Sequence, residues 1–203
     1  MHSTNVELSK NELELVISSE FILTKNRVIE KVYNLFGALS ENYKEILNEH
    51  TAVLPAGVFT SSPKIYKGEN YLQLPYVMMD YPRIFSKDDV FAVRSFFWWG
   101  NYFSITLHLS GKYLQQFRNA ILFNLNNADE YFVCINEEQW QHHFEISNYQ
   151  PLKTIHSIET ILNKSFFKLA KKIELAEWKN AGEFYTETYN NLLTIITNDK
   201  LVS

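Results

Sequence analysis

The chain has 203 residues, of which 46% are hydrophobic, 15% aromatic and 21% charged. This composition predicts a folded domain with a substantial core and excludes a linker-rich, disordered chain. A formal net charge of −4 argues against nucleic-acid binding, and the lone cysteine, Cys134, excludes an intrachain disulfide and fits a cytoplasmic location. No apolar run approaches the length of a membrane span and no signal peptide is recognisable, so we expect no membrane association.

Two helices are expected near the N-terminus. Ser9 and Glu12 have the spacing of a capping box, which predicts a short helix from Lys10 to Ser19. Thr24 is the expected cap of a longer helix, residues 25–48, because apolar residues recur there at steps of three and four. The stretch at 50–63 has turn chemistry and is expected to be irregular.

Strand formers dominate the next region. They flank a turn predicted at "KGEN", residues 67–70, and Pro75 predicts that the following strand is an edge strand or is bulged. Gly100 and Asn101 predict a two-residue hairpin turn within "VFAVRSFFWWGNYFSITLHLSG".

That turn would pair residues whose numbers add to 201, so that Arg94 faces Leu107 and Trp98 faces Phe103. One face would then be an apolar core layer that contains Arg94. The other would be a mixed face with aromatic, hydroxyl and imidazole groups: Phe97, Trp99, Tyr102, Ser104, Thr106 and His108.

The rest of the chain predicts a helix after Ser110, two strands in "EYFVCIN" and "WQHHFEIS", and two further helices. The first of these helices would run from Ile158 to Ile173 with "KLAKK" as a solvated face, and the last would cover Glu183 to Thr197. We therefore predict one α+β domain over residues 1–203. It is helical at 1–50 and 156–198, with a mostly antiparallel sheet at about 63–147.

Arg94 is the residue that most needs an explanation. A guanidinium on an apolar face is costly unless it is paired. It could pair with Asp80, Asp88 or Asp89 at the sheet margin, or it could anchor an anionic ligand.

Other groups give weaker indications of chemistry. His142 and His143 are neighbours on a presumed strand, so they would point to opposite faces and could not both bind one metal without distortion, which leaves His108 with one of the two as the alternative. No metal motif and no nucleophile motif is present, so we predict no metal site and no cofactor, and no catalytic residue can be assigned.

The block "LPYVMMDYPRIFSKDDVFAVRSFFWWGNYFSITLHLSGKYL", from Leu74 to Leu114, resembles uncharacterised bacterial families of conserved proteins. "PRIFSKDD" is similar to an "RFSKDK"-type strand and loop in one such family. The second lysine of that pattern is absent from this chain, which has Asp88 and Asp89 there. The resemblance implies a cytosolic bacterial α+β protein and assigns no functional residue.

Three functions are consistent with these features. The leading one is a soluble, non-catalytic domain that binds a small molecule or a protein partner through the mixed sheet face. Its ligand-binding residues would be Asp80, Arg94, Trp99, Tyr102, Thr106 and His108. The alternatives are an enzyme acting on an anionic small substrate anchored by Arg94, with His108 or Asp80 as acid or base, and a homodimeric interaction protein that buries exposed aromatics.

Overall fold

The computed structural model describes residues 6–125, 128 and 130–197. The helices in these ranges are α1 (Lys10–Ile17), α2 (Ser19–Asn48), α3 (Ala56–Thr60), α4 (Gly111–Asn124), α5 (Ile158–Leu162) and α6 (Ala181–Thr197). The strands are β1 (Lys64–Tyr71), β2 (Leu74–Phe85), β3 (Val90–Trp98), β4 (Tyr102–Ser110), β5 (Phe132–Cys134), β6 (Tyr149–Pro151) and β7 (Phe166–Glu174).

The strands form one sheet in the order β1-β2-β3-β4-β7-β5-β6, and each neighbouring pair is antiparallel. Helices α2, α4 and α6 share the main hydrophobic core with one face of this sheet, which we call the helix face. The opposite side of the sheet is called the second face. The predicted α+β class, with helices at both ends and an antiparallel sheet, is confirmed.

The N-terminal helices follow the predicted patterns closely. The capping box of α1 is present, since the Ser9 hydroxyl accepts from the Glu12 amide and the Glu12 carboxylate accepts from the Ser9 amide. Helix α2 ends at Asn48 as predicted but begins at Ser19, so Thr24 lies inside it. Its apolar stripe is buried against the sheet, and no helix in the described ranges is long and apolar enough to cross a membrane.

The turn between β1 and β2 is not where the composition predicts it. Leu72 and Gln73 form the turn with positive φ values of 48° and 69°, and "GEN" lies inside β1. Gly68 serves a different purpose, because a side chain there would collide with the ring of Tyr76 and force it to move. Strand β2 lies between β1 and β3, so it is not an edge strand, but the register against β1 shifts beside Pro75, between Gly68 and Tyr71.

The predicted register of the β3–β4 hairpin is wrong by one residue. Trp98 pairs with Tyr102 and Arg94 pairs with Thr106, so the loop has three residues, with Gly100 at φ 73°. A shift of one residue moves every side chain of β4 to the other face relative to β3. Arg94 therefore shares the second face with Thr106 and His108, and not with Leu107.

The prediction of a helix from Ile158 to Ile173 is also wrong after Leu162. Helix α5 ends at Leu162, and "KLAKK" belongs to β7, which pairs with β4 and β5 near the middle of the sheet. Both faces of the first half of β7 are buried, so its sequence lacks the polar and apolar alternation of a half-exposed strand. "WQHHFEIS" forms no strand and lies in an irregular segment.

Candidate functional site

The second face carries a group of buried polar side chains that we call the polar cluster. Its members are Asp80, Arg94, Thr106, His108, His142 and Lys168. Five of the six come from β2, β3, β4 and β7, where the antiparallel register aligns them across the sheet. His142 comes from residues 136–148, an irregular stretch that lies over this face and that we call the covering segment.

Asp80 and Arg94 form the centre of the cluster. Arg94 Nε donates to Asp80 Oδ1 at 2.7 Å and Arg94 Nη2 donates to Oδ2 at 2.9 Å, which is a bidentate ion pair. The two side chains are only 13% and 5% exposed. Of the three aspartates that the sequence offers as partners, Asp80 is the one that pairs with Arg94.

The histidines of the cluster are neutral. Arg94 Nη1 donates to His142 Nε2 at 3.0 Å, and because a guanidinium can only donate, the proton of His142 lies on Nδ1. Burial and the neighbouring Arg94 lower the pKa of His142 well below its usual value. Burial, with Lys168 and Arg94 nearby, lowers the pKa of His108 to about 3.

Lys168 is the least expected member, because its side chain is fully buried. Its ammonium donates to the carbonyl oxygens of Gln139 at 3.0 Å and Gln141 at 2.5 Å, and lies 5.2 Å from the ring centre of Tyr149. Burial lowers the pKa of Lys168 to about 8. Lys168 thus fastens the covering segment to the sheet.

The covering segment closes most of the polar cluster from solvent. Two of its amides, those of His142 and His143, donate to the Tyr71 hydroxyl at 2.8 and 3.0 Å. The space left among Ala92, Arg94, Thr106, His108, His142 and Lys168 is about 10 Å³. This is room for about one water molecule, so the interior of the cluster cannot hold an organic ligand as it stands.

The cluster opens to solvent on one side, in a cavity of about 290 Å³ that we call the cleft. It is lined by Lys64, Tyr66, Asp80, Arg83, Phe85, Ser86, Arg94 and Trp140. Phe85 and Trp140 are 39% and 45% exposed, and their ring centres are 6.1 Å apart. Asp80 and Arg94 form the floor of the cleft, since both also belong to the polar cluster.

The structure brings together four of the six predicted ligand-binding residues. Asp80, Arg94, Thr106 and His108 all lie on the second face, and Asp80 and Arg94 line the cleft. The other two lie elsewhere. Trp99 is in the hairpin loop and packs against Phe97 and the helix-face core, whereas Tyr102 is 6% exposed beneath Phe144 at the hairpin end of the second face.

The sequence did not indicate Lys168, Trp140 or four other cleft residues, Lys64, Tyr66, Phe85 and Ser86. The signal for Lys168 was a lysine between apolar residues in "FFKLA". The helix predicted for that stretch placed this lysine on a solvated face. Trp140 was assigned to a predicted strand, but it lies in an irregular segment, where alternation does not tell the side to which a residue points.

Three other surface cavities among the described residues are larger than the cleft but have less directed chemistry. One, of about 470 Å³, lies at the hairpin end, and its lysine, Lys172, is already 3.7 Å from Glu174. Another, of about 430 Å³, lies between α2 and α6 and has two glutamates and an apolar floor. The third, of about 360 Å³, has no aromatic residue in its lining, and its Arg118 already donates to Leu162 and Asn163. None of the three combines unpaired charge with exposed aromatic rings.

No set of three or more His, Cys, Asp or Glu side chains in the described ranges converges as a metal-binding group. No family model, curated protein or solved structure matches the chain. The fold and the cleft define an α+β domain with a small, partly aromatic cavity beside a buried ion pair.

Proposed function

We propose that this chain is a non-catalytic binding protein that takes up a small molecule in the cleft on the second face. One observation carries the proposal: the exposed rings of Phe85 and Trp140 and the buried Asp80–Arg94 pair meet in one cavity. Exposed aromatic walls around a few fixed polar groups are typical of small-molecule sites.

The construction of the floor supports the same proposal. Asp80 and Arg94 are fixed by two mutual hydrogen bonds and by His142, and Trp140 is held beside His108 with ring centres 5.4 Å apart. A ligand would therefore meet groups that are already ordered, which reduces the entropy lost on binding.

Screening for ligands by thermal stabilisation tests this proposal. A compound present at 100 times its Kd should stabilise the folded state by about 2.7 kcal/mol. The fluorescence of Trp140 should change on binding in the wild type, and the change should disappear in Trp140→Phe. Trp178→Phe is the matched control, because Trp178 packs on the helix face against Phe97 and Phe103.

Phe85→Ala should abolish the stabilisation by any ligand found in the screen. The proposal is overturned if a broad collection of metabolites gives no stabilisation, or if the ligands found bind Phe85→Ala and Trp140→Phe as well as they bind the wild type.

An enzyme acting at the same place is the second candidate, because Asp80 and Arg94 lie within hydrogen-bond distance in the cleft. Two features speak against it. Both carboxylate oxygens of Asp80 accept from Arg94, and His108, with a pKa of about 3, is neutral at pH 7, so it is a weak base and is not the imidazolium that a general acid requires. Incubating each ligand with the protein and following it by NMR separates the two candidates, since an enzyme would convert it.

A homodimer is a third candidate, supported by exposed apolar side chains at the start of the helical layer. Helix α1 has no buried residue, and large apolar side chains of α1 and early α2 are about half exposed or more: Leu13, Leu15, Val16, Ile17, Phe21, Ile22 and Leu23. Light scattering over a range of concentrations tests this, and a monomer at every concentration would contradict it.

A cytoplasmic location belongs to the same proposal. The single cysteine is buried and has no second cysteine with which to form a disulfide, which suits a reducing compartment. Fractionation of cells that produce the tagged protein would contradict the proposal if the protein were recovered outside the cytoplasm.

A further inference from the structure

The cleft has an excess of positive charge. Asp80 and Arg94 neutralise each other, which leaves Lys64 and Arg83 as the other charged side chains of the lining. No carboxylate among the described residues lies within ion-pair distance of either. Two unpaired cations in one small cavity are notable in a protein whose formal net charge is −4.

Arg83 is positioned to bind an anion. Its Nε donates to the Ser62 carbonyl oxygen at 3.2 Å, and its backbone amide donates to the Ser61 hydroxyl at 3.3 Å. These bonds fix the base of the guanidinium, while its two terminal nitrogens have no partner in the described part of the chain. A guanidinium edge of this kind suits a carboxylate or phosphate oxygen pair.

Lys64 adds a second charge on the neighbouring strand. It lies opposite Asp80 in the β1–β2 register, but the Asp80 carboxylate is engaged by Arg94. The Lys64 ammonium lies 5.6 Å from the ring centre of Tyr66, so it sits over an aromatic wall of the cleft with no counter-ion of its own.

The two aromatic walls of the cleft, Phe85 and Trp140, favour a ligand with a planar ring. The rings of Phe85 and Trp140 lie at 52° to each other, an open angle against which a planar ring can pack on either surface. A volume of about 290 Å³ is at the lower limit of typical ligand sites, which favours a single ring and excludes a fully enclosed nucleotide.

We infer that the cleft binds a small aromatic acid, with its anionic group between Lys64 and Arg83 and its ring against Phe85 and Trp140. This inference rests on the proposed binding function and names the class of its ligand. The anionic group is a carboxylate or a phosphate, since both fit the same donors.

A matched set of probes tests the ligand class by calorimetry on the full chain. Benzoate should bind at least about tenfold more tightly than benzamide, which lacks the charge, and than cyclohexanecarboxylate, which lacks the flat ring. Phenyl phosphate distinguishes the two anionic groups, because the tighter of the two aromatic anions identifies the natural one. The affinity for benzoate should fall as salt is added, and that for benzamide should not.

Variants locate the anion. Arg83→Gln and Lys64→Gln should each weaken benzoate about tenfold and leave benzamide unchanged. Lys44→Gln is the matched control, because Lys44 is an exposed lysine on α2 and the substitution removes the same charge far from the second face. Lys44→Gln should not alter benzoate binding, and thermal unfolding of all three variants shows whether each is folded.

The outcomes separate this inference from the proposed function. If cleft-dependent ligands are found but they are neutral or cationic, or if benzamide binds as tightly as benzoate, the aromatic acid is wrong and the binding function stands. Equal losses in Arg83→Gln and Lys44→Gln would also overturn the inference. If no compound binds in the cleft, both fail.

Discussion

At the scale of single residues, the Asp80–Arg94 pair is the feature of the second face with the greatest energetic consequence. Each partner is almost fully buried, so each depends on the other to compensate for the loss of hydration. Arg94 also donates to His142, which joins the pair to the covering segment. The same two residues form the floor of the cleft, so stability and binding are linked at this point.

We predict that Asp80→Leu and Arg94→Met each lower the free energy of unfolding by about 3–5 kcal/mol, because each leaves an uncompensated buried charge. Urea unfolding measures the loss. The double variant removes both charges and should recover most of it, to within about 1–2 kcal/mol of the wild type.

An additive loss in the double variant would show that the two side chains do not interact in the folded state. Arg94→Met also tests its role as an anchor. If this variant is folded and binds the ligands of the cleft with unchanged affinity, Arg94 positions Asp80 and does not contact the ligand.

Lys168 is the second residue whose burial has a measurable consequence. Its pKa is lowered from 10.5 to about 8, so between these values the folded state releases a proton that the unfolded state keeps. The free energy of unfolding should therefore increase as the pH rises from about 8 toward 10.5. This contribution of Lys168 is lost as the pH falls back through 8.

We predict a gain of about 1–2 kcal/mol between pH 7 and pH 9.5 in the wild type relative to Lys168→Met. The measurement is urea unfolding of both proteins at each pH. Because burial raises the pKa of several tyrosines, for example Tyr185, the comparison should stop below pH 10. Parallel curves for the two proteins would contradict a lowered pKa at Lys168.

At the scale of elements, the covering segment differs from everything around it. It has no helix or strand, yet its contacts reach four parts of the sheet: Tyr71 at the end of β1, Arg94 on β3, Tyr102 and His108 on β4, and Lys168 on β7. Its stability thus depends on a few side-chain hydrogen bonds, and local opening is expected to be easier there than in the sheet.

We predict that Tyr71→Phe increases hydrogen exchange in residues 136–148 and leaves exchange in β4 unchanged. The substitution removes the shared acceptor of the His142 and His143 amides, which costs about 1–3 kcal/mol locally. Mass spectrometry of peptides from the two regions measures the difference.

Tyr76→Phe is the matched control, since Tyr76 packs against Tyr71 but its hydroxyl makes no hydrogen bond in the described ranges. Equal exchange in the two variants would mean that the Tyr71 hydroxyl does not hold the covering segment.

At the scale of the whole molecule, the sheet separates two kinds of interior. On the helix face the core is a large apolar layer, whereas the second face combines a small aromatic cluster with buried ions and neutral histidines. The second layer therefore depends on the protonation state of its groups.

We predict that the protein loses stability as the pH falls below 6.5. Four of the histidines in the described ranges, His50, His108, His142 and His143, have lowered pKa values, chiefly because of burial. The unfolded state takes up protons near pH 6.5 and the folded state takes them up at lower pH, so stability is present above 6.5 and is lost toward the folded pKa values.

Unfolding free energies between pH 7 and pH 5 measure this loss, in which each buried histidine can contribute up to about 1.4 kcal/mol per pH unit. His108→Gln should make the dependence shallower, while His156→Gln, at an exposed position, should not change it. An equally steep curve in His108→Gln would contradict the neutral state of His108.

Much of the helical layer could be predicted from the sequence because its signals are local. The Ser9 and Glu12 capping box, the apolar stripe of α2 and the inward residues Tyr185 and Tyr189 of α6 all follow from spacing within one element. Asp80, Arg94, Thr106 and His108 were also identified, because polar groups among strand formers require an explanation wherever they lie.

The pairing of those residues could not be predicted in the same way. A glycine and an asparagine suit a two-residue or a three-residue hairpin loop, and the choice sets the register of all of β4 against β3. The prediction of where Lys168 lies failed for a related reason, since a strand that is buried on both faces has no alternation to distinguish it from a buried helix.

The sequence by itself determined the α+β class, the helical layer and the presence of an arginine that needed a buried partner, since each depends on residues close together in the chain. Only the tertiary structure decided that Arg94 shares a face with His108, that Lys168 lies beneath residues 136–148, and that Phe85, Trp140, Lys64 and Arg83 line one cleft. Those placements depend on strand register and on contacts between distant segments, and a single residue of register is enough to turn a side chain from one face of a sheet to the other.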